Sequence, residues 1–239
     1  MDQKSVARLL LGIILLIALP ASAQKATDKE TERVQAMINQ ARKEEEQFSK
    51  SGGAVAANHP NLKWATTLWR YRRKHPGTPA TTLATAEALR LLIRADHISE
   101  MQAKTDTLKL TDPVWKQVVN VLLFASNRTK DYAFFISKTQ AVAQGASDPE
   151  IKAKARFILG EGYWRKGDIE QTKIAFRTVV AQYPKTSYAE DAEGNLREIE
   201  FLNVGQPGPL FESTTINGDP FSLASLKGQV VVLKFWGTY

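Results

Sequence analysis

Cysteine, the residue that carries thiol chemistry, is absent from this 239-residue chain. Disulfides, Cys-ligated zinc and cysteine catalysis are therefore excluded within these residues. The three histidines, His59, His75 and His97, have spacings that match no zinc pattern. The sequence contains no phosphate-binding glycine loop, nucleophile elbow or Ser-His-Asp set. We accordingly predict no catalytic residue, no cofactor-binding residue and no metal ligand in this chain.

The strongest basic cluster runs from Arg70 to His75 and contains three arginines and a lysine. One interpretation is contact with an acidic partner or with anionic lipid headgroups. The other is that these cations complement the dipole at a helix C-terminus, which explains why they stand just before Pro76. The second interpretation is favoured. For the histidines, His59 and His75 each precede a proline in a predicted turn, and His97 is predicted on a polar helix face.

The last three dozen residues change from helical spacing to a period-two pattern. Leu210 to Ile216 predicts a strand, Asn217-Gly218 a hairpin turn, and Pro220 to Leu223 the returning strand. A short helical turn ended by Gly228 follows. Val230 to Trp236 is then an apolar run broken only by Lys234, which is typical of a strand covered on both faces.

This segment, Gly205 to Tyr239, resembles the start of the thioredoxin-like redoxins. That group includes TlpA-type thiol-disulfide oxidoreductases and thiol peroxidases of the AhpC/TSA type. The matches occur in the family's order: Gly205, Pro209, Phe211, Asn217-Gly218, Ser222-Leu223, Leu226-Lys227-Gly228, Val230–Val232 and Phe235-Trp236. The resemblance implies a thioredoxin-like fold and a Cys-x-x-Cys, or a single peroxidatic Cys, directly after Tyr239. It also implies that Phe235, Trp236 and Tyr239 flank the reactive site without taking part in the chemistry.

Because the Cys motif is not in the chain, we expect a fragment that is inactive in thiol exchange. About 36 residues is fewer than the ~40 that usually fold without disulfides, metal or a partner. Val230 to Trp236 is therefore expected to be an exposed apolar edge prone to aggregation. The alternative interpretation is a short β-rich tail that completes some other fold.

The preceding residues, from Leu62 to about Leu202, show helical spacing throughout, with breaks at Pro76–Pro79, Thr111–Pro113 and Ser147–Glu150. In the last two breaks an Asp before a Pro predicts a capped helix start. Leu159-Gly160-x-x-Tyr163, Phe176 and Pro184 keep the spacing of a tetratricopeptide repeat, which this region resembles. Gly160 is expected to let two helices approach closely, and Asp168 to cap the second helix. Arg156 and Thr172 depart from the repeat pattern.

The N-terminus has the form of an export signal. Lys4 and Arg8 precede 11 apolar residues, Leu9 to Leu19, and Ala21-Ser22-Ala23 supplies small residues for cleavage before Gln24. Eleven residues are too few to span a bilayer, which needs ~20. An uncleaved membrane anchor is the less favoured alternative. Thr27 to Ser49 follows as a predicted surface helix, with Glu44–Glu46 on its solvated face.

The predicted fold is mainly α: tetratricopeptide-like helical repeats, then the incomplete β N-terminal part of a thioredoxin-like α/β fold. The predicted organisation is a signal peptide (1–23), a charged helix and linker (24–61), the helical domain (62–203) and the thioredoxin-like fragment (204–239). Two functions remain open. One is an exported, periplasmic thiol-disulfide oxidoreductase or thiol peroxidase that acts on protein thiols or on peroxide. The other is a non-catalytic helical-repeat adaptor that binds a protein. Neither involves nucleic acid, a cofactor or a membrane span after signal cleavage.

Overall fold

The structure, a computed structural model, describes residues 21–52, 58–202, 205–234 and 236–237, with side chains from residue 28 onward. This part of the chain is mainly helical, as predicted. The α-helices are α1 (Ala21–Lys50), α2 (Pro60–Lys74), α3 (Pro79–Arg94), α4 (Ile98–Asp106), α5 (Trp115–Thr129), α6 (Ala133–Gly145), α7 (Pro149–Lys166), α8 (Ile169–Gln182) and α9 (Ser187–Phe201). Two short strands follow, β1 (Glu212–Thr214) and β2 (Pro220–Ser222), and then a 3-10 turn, Leu223–Leu226.

The predicted breaks coincide with the ends of helices, and local chemistry explains most of the starts. Asp148 accepts a hydrogen bond from the Glu150 backbone N–H, and Pro149 takes the first helical position of α7. Asp168 caps α8 in the predicted way, by accepting from the Gln171 N–H. The prediction for Asp112 was wrong: α5 begins only at Trp115, and the Asp112 carboxylate accepts from the Lys109 N–H instead.

The chain folds as two compact units, one that ends at Ala125 and one that begins at Ser126. In the first unit, α1 packs on α2 and α3, and α3 also contacts α2 and α4. The predicted helix over Thr27 to Ser49 is confirmed, and it turns Val34, Ile38 and Ala41 into the core. Most residues of α3 are buried, and the majority of these are alanines and leucines. This helix is therefore the centre of the core of the first unit.

The acidic run Glu44–Glu46 was predicted to be a solvated face, and this holds only in part. Only Glu46 is exposed. Glu44 accepts a hydrogen bond from the Trp64 indole N–H at 2.8 Å, and Glu45 accepts from the Asn61 side-chain amide at 2.9 Å. The helical pattern of α1 could not show this, because both partners belong to α2.

In the second unit, α7 packs on α6, α8 and α9, and α8 packs on α9. The expected close approach at Gly160 is confirmed: a Cβ placed there would lie 2.5 Å from Cε1 of Phe176. Phe176 is fully buried in a cluster with Val179, Ala192 and Ile199. Gly162 meets Phe135 of α6 in the same manner. Two glycines on one helix thus let α7 approach a neighbour on each of two sides.

Several predicted features fall on residues that the structure does not describe. The signal segment lies outside the described residues up to position 20, and the predicted cleavage point before Gln24 falls near the start of α1. The linker is described only at 51–52 and 58–59. The domain boundaries at 23, 61 and 203 remain predictions. Within the described ranges, no helix is long and apolar enough to cross a membrane.

Candidate functional site

The C-terminal segment, where the redoxin resemblance lies, begins with the predicted hairpin. β1 and β2 are antiparallel, with Glu212 opposite Ser222 and Thr214 opposite Pro220. Gly218 in the turn has φ +87°, a left-handed conformation that side chains rarely adopt, which explains the Asn-Gly pair. The strands are shorter than predicted: only three residue pairs are formed between β1 and β2.

The strand predicted from Val230 to Trp236 does not form in the part of this range that the structure describes. Residues 230–234 and 236 adopt no regular structure, and the described residues provide no strand for them to pair with. Val230 is 97% exposed and Trp236 is 80% exposed. A strand depends on hydrogen bonds to a neighbour, so apolar periodicity alone cannot form one. The predicted exposure of this run is confirmed. Of the residues expected to flank a reactive site, Phe235 and Tyr239 lie outside the described residues.

The α7–α9 region contains the residues of the predicted repeat. Trp164 stands edge-on to Phe176, with ring centroids 6.5 Å apart, and Phe157 lies between Phe176 and Tyr188. Burial raises the pKa of Tyr163, and the Asp168 carboxylate adds to the effect. Thr172, a departure from the repeat pattern, is fully buried and donates its hydroxyl hydrogen to the Asp168 carbonyl. The aromatic residues of this region therefore hold the helices together.

A pocket of about 280 Å³ lies in the first unit, beside the C-terminal turn of α2. It is lined by Arg72, Arg73, Pro76, Gly77, Thr78, Thr81, Thr82, Asp112, Pro113 and Val114. Arg72 donates to the Asp112 carboxylate at 3.0 Å, and its guanidinium stands 5.1 Å from the centroid of the Trp69 ring. The sequence places Arg72 and Asp112 forty residues apart, so neither periodicity nor spacing could have paired them.

The basic cluster does stand at a helix C-terminus, as the favoured interpretation required. Arg72, Arg73 and Lys74 form the last turn of α2, and His75 is its C-cap. The cluster also has a tertiary role. His75 Nδ1 is 2.9 Å from a carboxylate oxygen of Glu30, and its ring stacks on Tyr71 at 4.3 Å. The pair of His75 with Glu30 thereby links the end of α2 to α1.

The histidines do not come together. His59 caps α2 by accepting from the Asn61 N–H through Nδ1, which agrees with its predicted place in a turn. His97 was predicted on a polar helix face, but it is the N-cap of α4 and lies just before the first helical residue. Its Nδ1 faces Glu100 at 3.5 Å. Across the described ranges, no group of three or more His, Asp or Glu side chains could hold a metal ion.

Comparison of the chain with protein-family models, with curated proteins and with solved structures found no match.

Proposed function

We propose that this chain is the leading part of an exported thioredoxin-like redox protein, either a thiol-disulfide oxidoreductase or a thiol peroxidase. The observation that carries the proposal is the ordered series of redoxin-like residues from Gly205 to Trp236. A generic tail has no reason to combine an Asn-Gly hairpin, a glycine-ended turn, a valine run and a Phe-Trp pair in that order.

The local geometry of the segment supports the proposal. The hairpin forms at Asn217-Gly218, and the turn after Ser222 ends at Gly228, which has φ +90°. The valine run then leaves the turn with its side chains exposed. An exposed apolar run of this length suits a strand that pairs with further strands and is covered by helices in a larger domain.

The chemistry would depend on a Cys motif after Tyr239. A thiol at a helix N-terminus has a lowered pKa, because the helix dipole stabilises the thiolate. The thiolate would attack a substrate disulfide and form a mixed disulfide, which the second Cys would resolve. In a thiol peroxidase the thiolate would instead be oxidised to a sulfenic acid by peroxide. Phe235 and Trp236 would border the reactive sulfur.

The first test is to read the coding sequence beyond the codon for Tyr239. We expect a Cys-x-x-Cys, or one Cys, within the first few codons in one of the reading frames. If none follows in any frame, the redox proposal fails for this gene. The complete protein should then reduce insulin disulfides or consume peroxide, and replacing the first Cys by Ser should abolish that activity while the 239-residue chain stays inactive.

The proposed export is testable separately. A tagged chain should appear in the periplasmic fraction with Gln24 as its N-terminal residue. Leu15→Arg, which interrupts the apolar run of the proposed signal, should hold the chain in the cytoplasm. A wild-type chain that stays cytoplasmic would refute the localisation.

A second candidate function is a tetratricopeptide-like adaptor that binds a protein. The observation that favours it is the α7–α9 packing, in which Gly160 lies close against the ring of the buried Phe176. Helix pairs of this kind present concave surfaces for partners. The chain from residue 24, immobilised, should capture a defined protein from the exported fraction. Failure to enrich any protein over a matched unrelated helical protein would count against the adaptor.

A further inference from the structure

We propose that the pocket between the C-terminus of α2, the N-terminus of α3 and residues 112–114 binds a singly charged carboxylate, such as that of a peptide C-terminus or a small organic acid. The proposal rests on the composition and the unpaired donors of this pocket, and it does not depend on the redox function.

Two arginines supply the positive charge. Arg73 is exposed, and the described residues form no ion pair with it. Arg72 is more enclosed, with 19% of its side chain accessible, and it donates only through Nη2 to Asp112. Its Nε is buried and has no acceptor among the described residues. A ligand would therefore meet the other N–H groups of the Arg72 fork and the exposed guanidinium of Arg73.

The start of α3 adds donors of a second kind. Thr78 is the N-cap and accepts from the Thr81 N–H, while the Thr81 hydroxyl donates to the carbonyl of His75. Those two hydroxyls are engaged in holding the turn. Thr82 also lines the pocket, and the described residues form no hydrogen bond to its hydroxyl. The positive end of the α3 dipole faces the same region as the two arginines.

The charge balance selects the class of anion. Arg72 and Arg73 give two positive charges and Asp112 offsets one of them, so one positive charge is left to be neutralised. A carboxylate matches this balance, whereas a phosphate dianion would exceed it and approach Asp112. Pro76, Pro113 and Val114 form apolar walls beside the charged end, which suits a carboxylate on a short aliphatic group. At about 280 Å³, the pocket is at the lower limit of ligand sites, roughly 300 Å³.

The test is a titration of the ¹⁵N-labelled chain, followed by NMR at low salt. The probes are the tripeptide Ala-Ala-Val with a free C-terminus, the same peptide as its C-terminal amide, sodium butyrate and inorganic phosphate. We expect the free-acid peptide or butyrate to shift the amide signals of Gly77, Thr78 and Thr82, and the amidated peptide to shift none. Stronger binding of the peptide identifies a chain terminus as the source, and equal binding identifies a small acid.

Two variants make the assignment specific. Arg73→Gln removes one charge-assisted hydrogen bond and should weaken carboxylate binding about tenfold. Arg70→Gln is the matched control: this arginine is exposed on the same helix outside the pocket, and its loss should leave binding unchanged. Both positions are exposed, so both variants should fold. Equal weakening by the two variants, equal binding of the amidated peptide, tighter binding of phosphate, or no binding at all would each overturn the proposal.

Discussion

Gly160→Ala tests whether the contact between α7 and α8 is as close as the structure indicates. A Cβ at this position would lie 2.5 Å from Cε1 and 2.7 Å from Cδ1 of Phe176. Carbon atoms in normal contact are about 3.5–4.0 Å apart, so the ring would have to retreat by about 1 Å. Phe176 is completely buried among Val179, Ala192 and Phe157, which leaves it no space into which to move.

The expected magnitude follows from two opposed effects. Overpacking a buried site destabilises by about 1–3 kcal/mol. Alanine is favoured over glycine within a helix by about 1 kcal/mol. Gly194→Ala in α9 isolates the second effect, because nothing lies within 4 Å of a Cβ placed there. We therefore expect Gly194→Ala to raise the free energy of unfolding by about 0.5–1 kcal/mol, and Gly160→Ala to fall about 1–3 kcal/mol below that control.

The assay is urea unfolding at 25 °C followed by far-UV circular dichroism, with all variants at one protein concentration. Because the chain has two units, a biphasic transition is fitted with one free energy per unit, and the comparison uses the unit that responds to Gly194→Ala. The double variant Gly160→Ala/Phe176→Leu provides a rescue test, since the smaller Leu makes room for the new methyl group. If Gly160→Ala stabilises the chain as much as Gly194→Ala, the close approach of α7 and α8 is refuted.

Three further outcomes are expected. Burial, with the Glu30 carboxylate beside it, raises the pKa of Tyr71 to about 12, whereas a tyrosine in the unfolded chain titrates near 10. The free energy of unfolding should therefore fall by about 2–3 kcal/mol between pH 10 and pH 12. Below pH 10 this contribution should be fully retained. Glu87→Ala should lower the free energy of unfolding by about 1–3 kcal/mol, because Glu87 is 3% exposed and pairs with Arg90 at 3.2 Å and Arg94 at 3.5 Å. Trp236→Lys should reduce self-association measured by sedimentation velocity, because it places a charge in the exposed apolar run.

Each of these outcomes has a matched control. Tyr71→Phe should lack the alkaline loss of stability, and an equal loss in that variant would assign the effect to another group. Glu100→Ala removes ion pairs at a side chain that is 45% exposed, so it should change stability by no more than about 0.5 kcal/mol. An equal effect of the two Glu variants would mean that burial of Glu87 is unimportant. Ile216→Lys adds the same charge at the hairpin turn, and if it lowers self-association as much as Trp236→Lys, the apolar run is not the cause.

Local residue chemistry made the helices predictable. Asp148-Pro149 and Asp168 act within two or three residues of themselves, and α7 and α8 begin where these residues predict. The Asn217-Gly218 turn is equally local, since the left-handed backbone at Gly218 is a property of that one position. Spacing also predicted the close approach at Gly160 that the structure shows, because the resemblance to a tetratricopeptide repeat implies that two successive helices meet there.

Contacts between distant segments were not predictable in the same way. Arg72 and Asp112 are forty residues apart in the sequence and are nevertheless paired. The Asp112-Pro113 pair predicts a helix cap, but the Asp112 carboxylate accepts from the Lys109 N–H instead. Glu44 and Glu45 have the pattern of a solvated run, yet Trp64 and Asn61 of another helix bind them. Polar periodicity says which side chains avoid the core, but it does not say which of them find partners.

By itself, the sequence determined that no thiol chemistry occurs within these 239 residues, and that most of the chain is helical with an Asn-Gly hairpin near its end. These features depend on residue identity and on interactions between near neighbours. The tertiary structure alone decided that the apolar run after Gly228 forms no strand within the described residues, and that Arg72, Arg73 and Asp112 share a pocket. Strands and pockets require groups from separate segments to meet, and only the packing of the helices brings such groups together.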